Sequence, residues 1–351
     1  MAFPPSKLQP IGLRHGIRHC PGGDDPMPCV NWGFGGKTYY VDPVYGLDTN
    51  DGLAPFQAAA GVGPWRTLTY AFSAVSPLGS ASAGVKGRWH DYLVVLPGTY
   101  EPLETWPLTI PSSKNSIHVI GSAMPGIDGP SIGTLGAYTL AHATEPTLVI
   151  NGSDVTFEGI TIYGPTDNFP VVELNGPRSV LRHNWIYGRD DGGNGVNIPV
   201  GGVGWFSRIE HNMIDVYVAT AMAVLLDEQS NHVLDNIIHS SGGGIDITDA
   251  GHWNKVEYNR ILKGMGTFEL LFGIRLQSGA VQNLIDENKI GDAALGNSGV
   301  MRQLYDLSAA VSNFFGRNYK LGAYQAGPPA GINLAGDLIT DGGPGSGYSR
   351  D

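Results

Sequence analysis

Cysteine is nearly absent. The 351 residues contain only Cys20 and Cys29, so no disulfide framework can hold this fold together. His15 and His19 stand close by, but His-x3-His-Cys-x8-Cys matches none of the common zinc spacings, and no metal site is expected there. A disulfide closing a small loop and a pair of free thiols both stay open. Charge is scarce too: Asp, Glu, Lys and Arg make up 15% of the chain, which suits few exposed helices. The 32 acidic residues outnumber the 21 Lys and Arg, and the net charge of −11 argues against nucleic acid as a partner, because phosphate binding needs clustered cations. No stretch approaches 18 apolar residues, so no segment is expected to span a membrane as a helix. The start, Met1-Ala2-Phe3-Pro4-Pro5-Ser6-Lys7, has no apolar core and does not read as a secretory signal.

What the chain does have is glycine, 51 residues, and proline, 24, as a fold with many tight turns requires. It also has a repeat. An aliphatic residue, two variable residues, Asn, one variable residue and Ile recur as Leu181-Asn184-Ile186, Ile209-Asn212-Ile214, Val233-Asn236-Ile238, Val256-Asn259-Ile261 and Ile285-Asn288-Ile290. Successive Asn residues are 28, 24, 23 and 29 positions apart. That period with strand-type apolar spacing predicts a solenoid, one repeat per coil. The Asn belongs at a tight corner, where it tolerates a left-handed backbone and bonds to the Asn of the next coil. A second register of inward aliphatics precedes each motif, at Val172 and Leu174, Val196 and Ile198, Val224 and Leu226, Ile245 and Ile247, and Ile274 and Leu276. The reading is all-β, a parallel β-helix of about nine coils between residues 90 and 315.

Three segments follow from this pattern. Residues 1–37 form an extended N-terminal arm rich in Pro and Gly, 38–315 the β-helix with its N-terminal cap, and 316–351 an extended tail around one apolar island, 332–339. In the cap, Leu68, Phe72 and Val75 mark the apolar face of a short helix, placed to cover the open end of the solenoid core.

The sequence Tyr40-Val41-Asp42-Pro43, then Gly46-x-Asp48-x-Asn50-Asp51-Gly52, Pro64-Trp65-Arg66-Thr67-Leu68-x-x-Ala71 and Leu96-Pro97-Gly98-Thr99-Tyr100 resembles the N-terminal cap and first coil of the pectate-lyase-like right-handed parallel β-helix superfamily. The resemblance covers about residues 38–315 and implies the fold. It implies little about function, because the superfamily includes lyases, hydrolases, epimerases, phage tailspikes and catalytically silent scaffolds.

Enzymes of this fold need a carboxylate set, with Arg or Lys as base in the lyases and an acid–base carboxylate pair in the hydrolases. Asp190-Asp191 supplies one acidic pair, followed by Gly192-Gly193 as in a turn. The outward row of the second register reads Glu173, Asn197, Leu225, Asp246 and Arg275, which sets Asp246 and Arg275 about one strand spacing apart. If the chain is an enzyme, Asp190, Asp191, Asp246 and Arg275 are its candidates. Otherwise Asp246 and Arg275 form a cross-strand ion pair. Leu225 interrupts the row with an apolar side chain, and with Met222 it marks a protein contact. Asp48-x-Asn50-Asp51-Gly52 lacks the spacing of a calcium loop and reads as a structural turn. His183 and His211 precede ladder Asn residues where later coils carry Asp235, Tyr258 and Glu287, so this is a tolerant corner position.

The expectation is therefore a non-enzymatic structural or binding protein without cofactors, such as a phage virion component of the capsid-decoration (cement) type. It would associate with itself as a homotrimer and with a capsid or other virion protein, and glycans are further candidate ligands. The alternative is a secreted polysaccharide lyase or glycoside hydrolase working along one β-helix face.

Overall fold

Three parallel sheets stack coil upon coil, as the repeat demands. The computed structural model describes residues 37–75, 91–100, 104–123, 130–132, 145–165, 169–188, 193–198, 204–217, 220–263, 272–291, 304–308, 313–321 and 339–341. A typical coil enters sheet II at Val172–Leu174, passes to sheet I at Val180–Arg182, turns sharply into sheet III at Trp185–Gly188, and returns to sheet II at Val196–Ile198. Among the described residues sheets I and III have 10 strands each and sheet II has 8. Nine of the sheet I strands, from Asp91–Val95 to Phe314–Phe315, lie between residues 90 and 315. The coils also run past residue 315: Asn318–Leu321 pairs with Lys289–Gly291, and Ile339–Asp341 pairs with Asn318–Leu321 in turn. The arm, Cys20, Cys29, His15, His19 and most of the tail island lie outside the described residues.

The core is one continuous aliphatic column. In sheet I the inward rungs are Leu93, Val119, Phe157, Leu181, Ile209, Val233, Val256 and Ile285, all fully buried. Sheet III contributes Ile162, Ile186, Ile214, Ile238, Ile261 and Ile290 in register. At the N-terminal end the helix Leu68–Ala74 buries Leu68, Ala71 and Phe72 over this column. Thr67 caps it by accepting from the Tyr70 N–H. Asp48, from the calcium-like loop, accepts from the N–H groups of Arg66 and Thr67 and from the Thr67 hydroxyl. Its oxygens thus organise the cap, as the structural-turn reading has it.

The corner between sheets I and III explains the Asn repeat. The N–H of each ladder residue donates to the side-chain oxygen of the Asn one coil on: Ile160 to Asn184, Asn184 to Asn212, Asn212 to Asn236, Asn236 to Asn259, Asn259 to Asn288 and Asn288 to Asn318, at 2.9–3.1 Å. Each Asn amide nitrogen donates back to a carbonyl of the preceding coil, Phe157, Leu181, Ile209, Val233, Val256 and Ile285. One correction follows. The left-handed residue is not the Asn but the one before it: His183, His211, Asp235, Tyr258 and Glu287 have φ between 49° and 60°. Gly159 takes this conformation, at 74°, in the coil that carries Ile160 in place of Asn.

Replacing Asn236 with Ala should remove an acceptor and a donor from a site 1% exposed, orphaning the Asn212 N–H and the Ile209 carbonyl. Unfolding in denaturant should show a loss of about 3 kcal/mol. Tyr258→Gly, at the neighbouring left-handed position, should be neutral or stabilising by up to about 1 kcal/mol.

Candidate functional site

Sheet II carries the row singled out above. Register pairs Glu173 with Asn197, Asn197 with Leu225, Leu225 with Asp246, and Asp246 with Arg275, and Tyr305 follows. Asp246 is 2% exposed and fully committed. It accepts from Arg275 Nε at 2.9 Å and Nη2 at 2.6 Å, and from Gln277 Nε2 at 2.8 Å. The Arg275 guanidinium in turn lies 4.3 Å above the Phe272 ring. Glu173 sits three rungs from Asp246, ~14 Å at one strand spacing per rung, beyond the ~5–9.5 Å of paired glycosidase carboxylates. Met222 and Leu225 are both half-buried. A Cβ on Gly243 would strike the Met222 sulfur and the Phe272 ring, so these two side chains close over a glycine that must stay bare. Asp190 and Asp191 lie outside the described residues.

Sheet I presents a charge zipper instead. His118 and Arg182, on either side of Glu158, both bond its carboxylate. Burial alone would raise the Glu158 carboxyl, but His118 and Arg182 outweigh it and hold the group below the ordinary carboxylate range. Further along, Arg208 pairs with Glu210 and His232 with Glu257. Burial pushes His232 below the usual imidazole range despite Glu257.

Sheet III holds a constellation that no short motif announces. Tyr187, Asp215 and His239 occupy one outward column on successive rungs. Asp215 is 2% exposed, accepting from Trp185 Nε1 at 2.6 Å on one oxygen and meeting His239 Nδ1 at 2.7 Å on the other. The carboxylate thereby fixes the imidazole, and Nε2 has no hydrogen-bond partner among the described residues. Tyr163 and Tyr217 flank Tyr187 at ring distances of 5.9 and 5.6 Å. In the adjacent outward column Trp185, Met213, Ile237, Arg260 and Lys289 follow rung by rung. The signal was present in phase rather than motif: these side chains stand one and three residues after each ladder Asn. Among the described residues no group of three or more His, Cys, Asp and Glu is placed to hold a metal ion, and no helix is long and apolar enough to cross a membrane.

Two outcomes follow from this geometry. Arg275→Met should destabilise the chain by about 2 kcal/mol by stranding the buried Asp246 carboxylate, less than for a fully buried pair because Arg275 keeps 26% of its side chain exposed. Asp246→Asn combined with Arg275→Gln should recover most of that loss, read by thermal unfolding. The second concerns pH. Both Glu158 and His232 have folded-state values below their unfolded ones, so unfolding takes up protons and stability falls on acidification. The His232 contribution is lost as pH falls below 6.5 and the Glu158 contribution below 4.5, the ordinary values of the two groups. Melting temperatures between pH 8 and 3 should show His232→Gln flattening the upper part of the slope and Glu158→Gln the lower.

No protein-family profile matches the chain, and no curated protein matches it in sequence. Among solved structures it is similar to the pectate lyase Pel9A, at a TM-score of 0.58 and 14% identity, over 88% of this chain and 76% of that one. It is also similar to an alginate lyase from Paenibacillus sp. str. FPU-7, at 0.47 and 16% over 79% and 89%, and to ORF18 of Geobacillus virus E2, at 0.39 and 15% over 74% and 58%. The three-sheet solenoid, its Asn corner and the likeness to Pel9A together give this chain the pectate-lyase-like parallel β-helix fold.

Proposed function

We propose that this chain is a non-catalytic structural and binding protein, of the kind a phage virion carries as a capsid decoration, and that it works as a homotrimer. The observation that carries the reading is the state of Asp246. On the outward face of sheet II its two oxygens already take three hydrogen bonds from Arg275 and Gln277. A carboxylate so engaged is a strut between rungs rather than a poised acid or base. Half-buried Leu225, one rung away, gives the same face an apolar element suited to a self-contact. The arm, 1–37, and the tail beyond the strand Asn318–Leu321 are rich in Pro and Gly, a composition suited to extended anchors.

The competing reading is a polysaccharide lyase or glycoside hydrolase, with Asp190, Asp191, Asp246 and Arg275 as its candidates. Incubation with pectate, alginate and neutral glycans separates the two. We expect neither unsaturated products nor new reducing ends, together with a trimer mass in sedimentation that Leu225→Asp lowers without unfolding the chain. Turnover that disappears in Asp190→Asn, Asp191→Asn or Asp246→Asn would install the enzyme reading in its place.

A further inference from the structure

The N-terminal cap exposes large apolar side chains more densely than any other stretch among the described residues. Val44, Tyr45, Leu47, Leu53 and Phe56 all lie between residues 44 and 56, Tyr45 at 76% and Phe56 at 66% exposure. The loop's own hydrogen bonds keep them outside. Asp42 Oδ1 accepts from the N–H groups of Val44 and Tyr45, Asp51 Oδ1 from those of Leu53 and Gly63, and the Leu47 N–H donates to the Pro64 carbonyl. Asn50 Nδ2 donates to Gln57 Oε1 and to the Pro64 carbonyl, and Trp65 Nε1 donates to the Asn50 carbonyl. A backbone pinned in this way does not let Leu53 or Phe56 turn inward, and the core beneath is occupied by Trp65, Leu68 and Phe72. Clustered apolar side chains on a rigid support mark a contact surface.

The place where the chain enters the fold decides what covers this surface. Thr38–Val41, the first strand of sheet I, pairs with Asp91–Val95 on one side. On its other side the Tyr40 N–H donates to the Gly52 carbonyl, while the N–H groups of Asp51 and Gly52 donate to the carbonyls of Gly61 and Gly63. The loop thus runs beside the strand, and residues 1–36, outside the described residues, join that strand at Lys37. The sequence just before it reads Val30-Asn31-Trp32-Gly33-Phe34-Gly35-Gly36. It is uncharged, apolar at every second position, and ends in two glycines that permit a sharp reversal. Trp32 stands five residues before Lys37, a reach of up to about 18 Å. A segment tethered so closely has an effective concentration on the order of millimolar, which a free partner must exceed. We infer that the cap loop is the docking surface for residues 30–34 of the same chain, with Val30, Trp32 and Phe34 packed on Leu53 and Phe56. Residues 1–29 then make up the part of the arm available to an outside contact, which goes beyond the role proposed above.

The test uses the native thiol beside the segment, Cys29. In a full-length chain carrying Cys20→Ser and Ala58→Cys, oxidised glutathione should link Cys29 to the introduced thiol, read as a cross-linked peptide by mass spectrometry. Ala58 is exposed and stands two residues from Phe56, so the docking side chains stay in place. Adding Trp32→Ser with Phe34→Ser, or Phe56→Ser alone, should slow the link about tenfold or more, because the apolar contacts that hold the segment are removed. Phe56→Ser changes an exposed position and leaves the fold intact, so a slower link there reports docking alone. Phe314→Cys in place of Ala58→Cys, on the last strand of sheet I, should not link. Isotopically light and heavy chains are mixed before oxidation, and every linked peptide should carry a single label. The inference is overturned if no link forms, if the serine variants link as fast as the parent, or if Phe314→Cys links as well. Peptides of mixed label would overturn it too, by putting the arm of a second copy on the patch.

Discussion

Everything in this molecule depends on how the chain turns its corners without stranding backbone N–H groups. A strand of sheet I must pass into sheet III within two residues, and the first of these goes left-handed at a cost of roughly 1–3 kcal/mol for a non-glycine side chain. Five such residues occur at this corner and seven more before the sheet I strands among the described residues, a strain too large to be incidental. It is offset because each turn aims the next N–H at a carboxamide one coil away. The Asn receives that N–H, returns a bond to the preceding coil, and is itself nearly or fully buried at every rung. Asn carries a separate acceptor oxygen and a two-hydrogen donor on one short, uncharged side chain.

The corner between sheets II and I is built the same way. Arg178, Phe206, Ser230, Trp253 and Gln282 are left-handed, and the residues after them form a second ladder. The N–H of Ser179 donates to the Ser207 hydroxyl, Ser207 to Asn231, Asn231 to Asn254, Asn254 to Asn283 and Asn283 to Asn313. Sheet I is thus clamped at both ends of its strands from Val180–Arg182 to Leu284–Asp286. Three-residue strands would be marginal alone, and the two ladders are what let so few ladder bonds per rung hold a stack of this height.

The first ladder was legible because an invariant polar residue stood at a fixed distance from buried aliphatics. The second was harder to see, although Ser179, Ser207, Asn231, Asn254 and Asn283 all fall two residues before the aliphatic of the motif. Two of its members are Ser, and the loops preceding it differ in length. Asn318 escaped because Phe315 and Lys320 stand where earlier motifs have aliphatics and Ile. The left-handed residue was misplaced by one position for a physical reason: Asn is the usual non-glycine choice for that conformation, yet here its carboxamide is needed elsewhere. On the outward faces, Asp246 and Arg275 could be paired from sequence because register in a solenoid is a matter of phase. Asp215 and His239 share a column as well, but no short motif marked them, and the Trp185–Asp215 bond runs diagonally between columns and depends on ring orientation.

A solenoid converts sequence phase into a straight column of side chains, so the order of charges down a column has energetic meaning. Where sign alternates from rung to rung, as in Glu158-Arg182-Glu210, the column satisfies itself and needs nothing from outside. Where sign repeats, as in Arg260-Lys289, like charges face each other on adjacent rungs, and neither side chain forms an ion pair among the described residues. Catalysis on such a scaffold requires a third arrangement, a carboxylate left partly unsatisfied and facing solvent near a second one. On sheet II the outward Asp246 is saturated and Glu173 is three rungs away, so the face that shows the charge pairing most clearly is organised for rigidity.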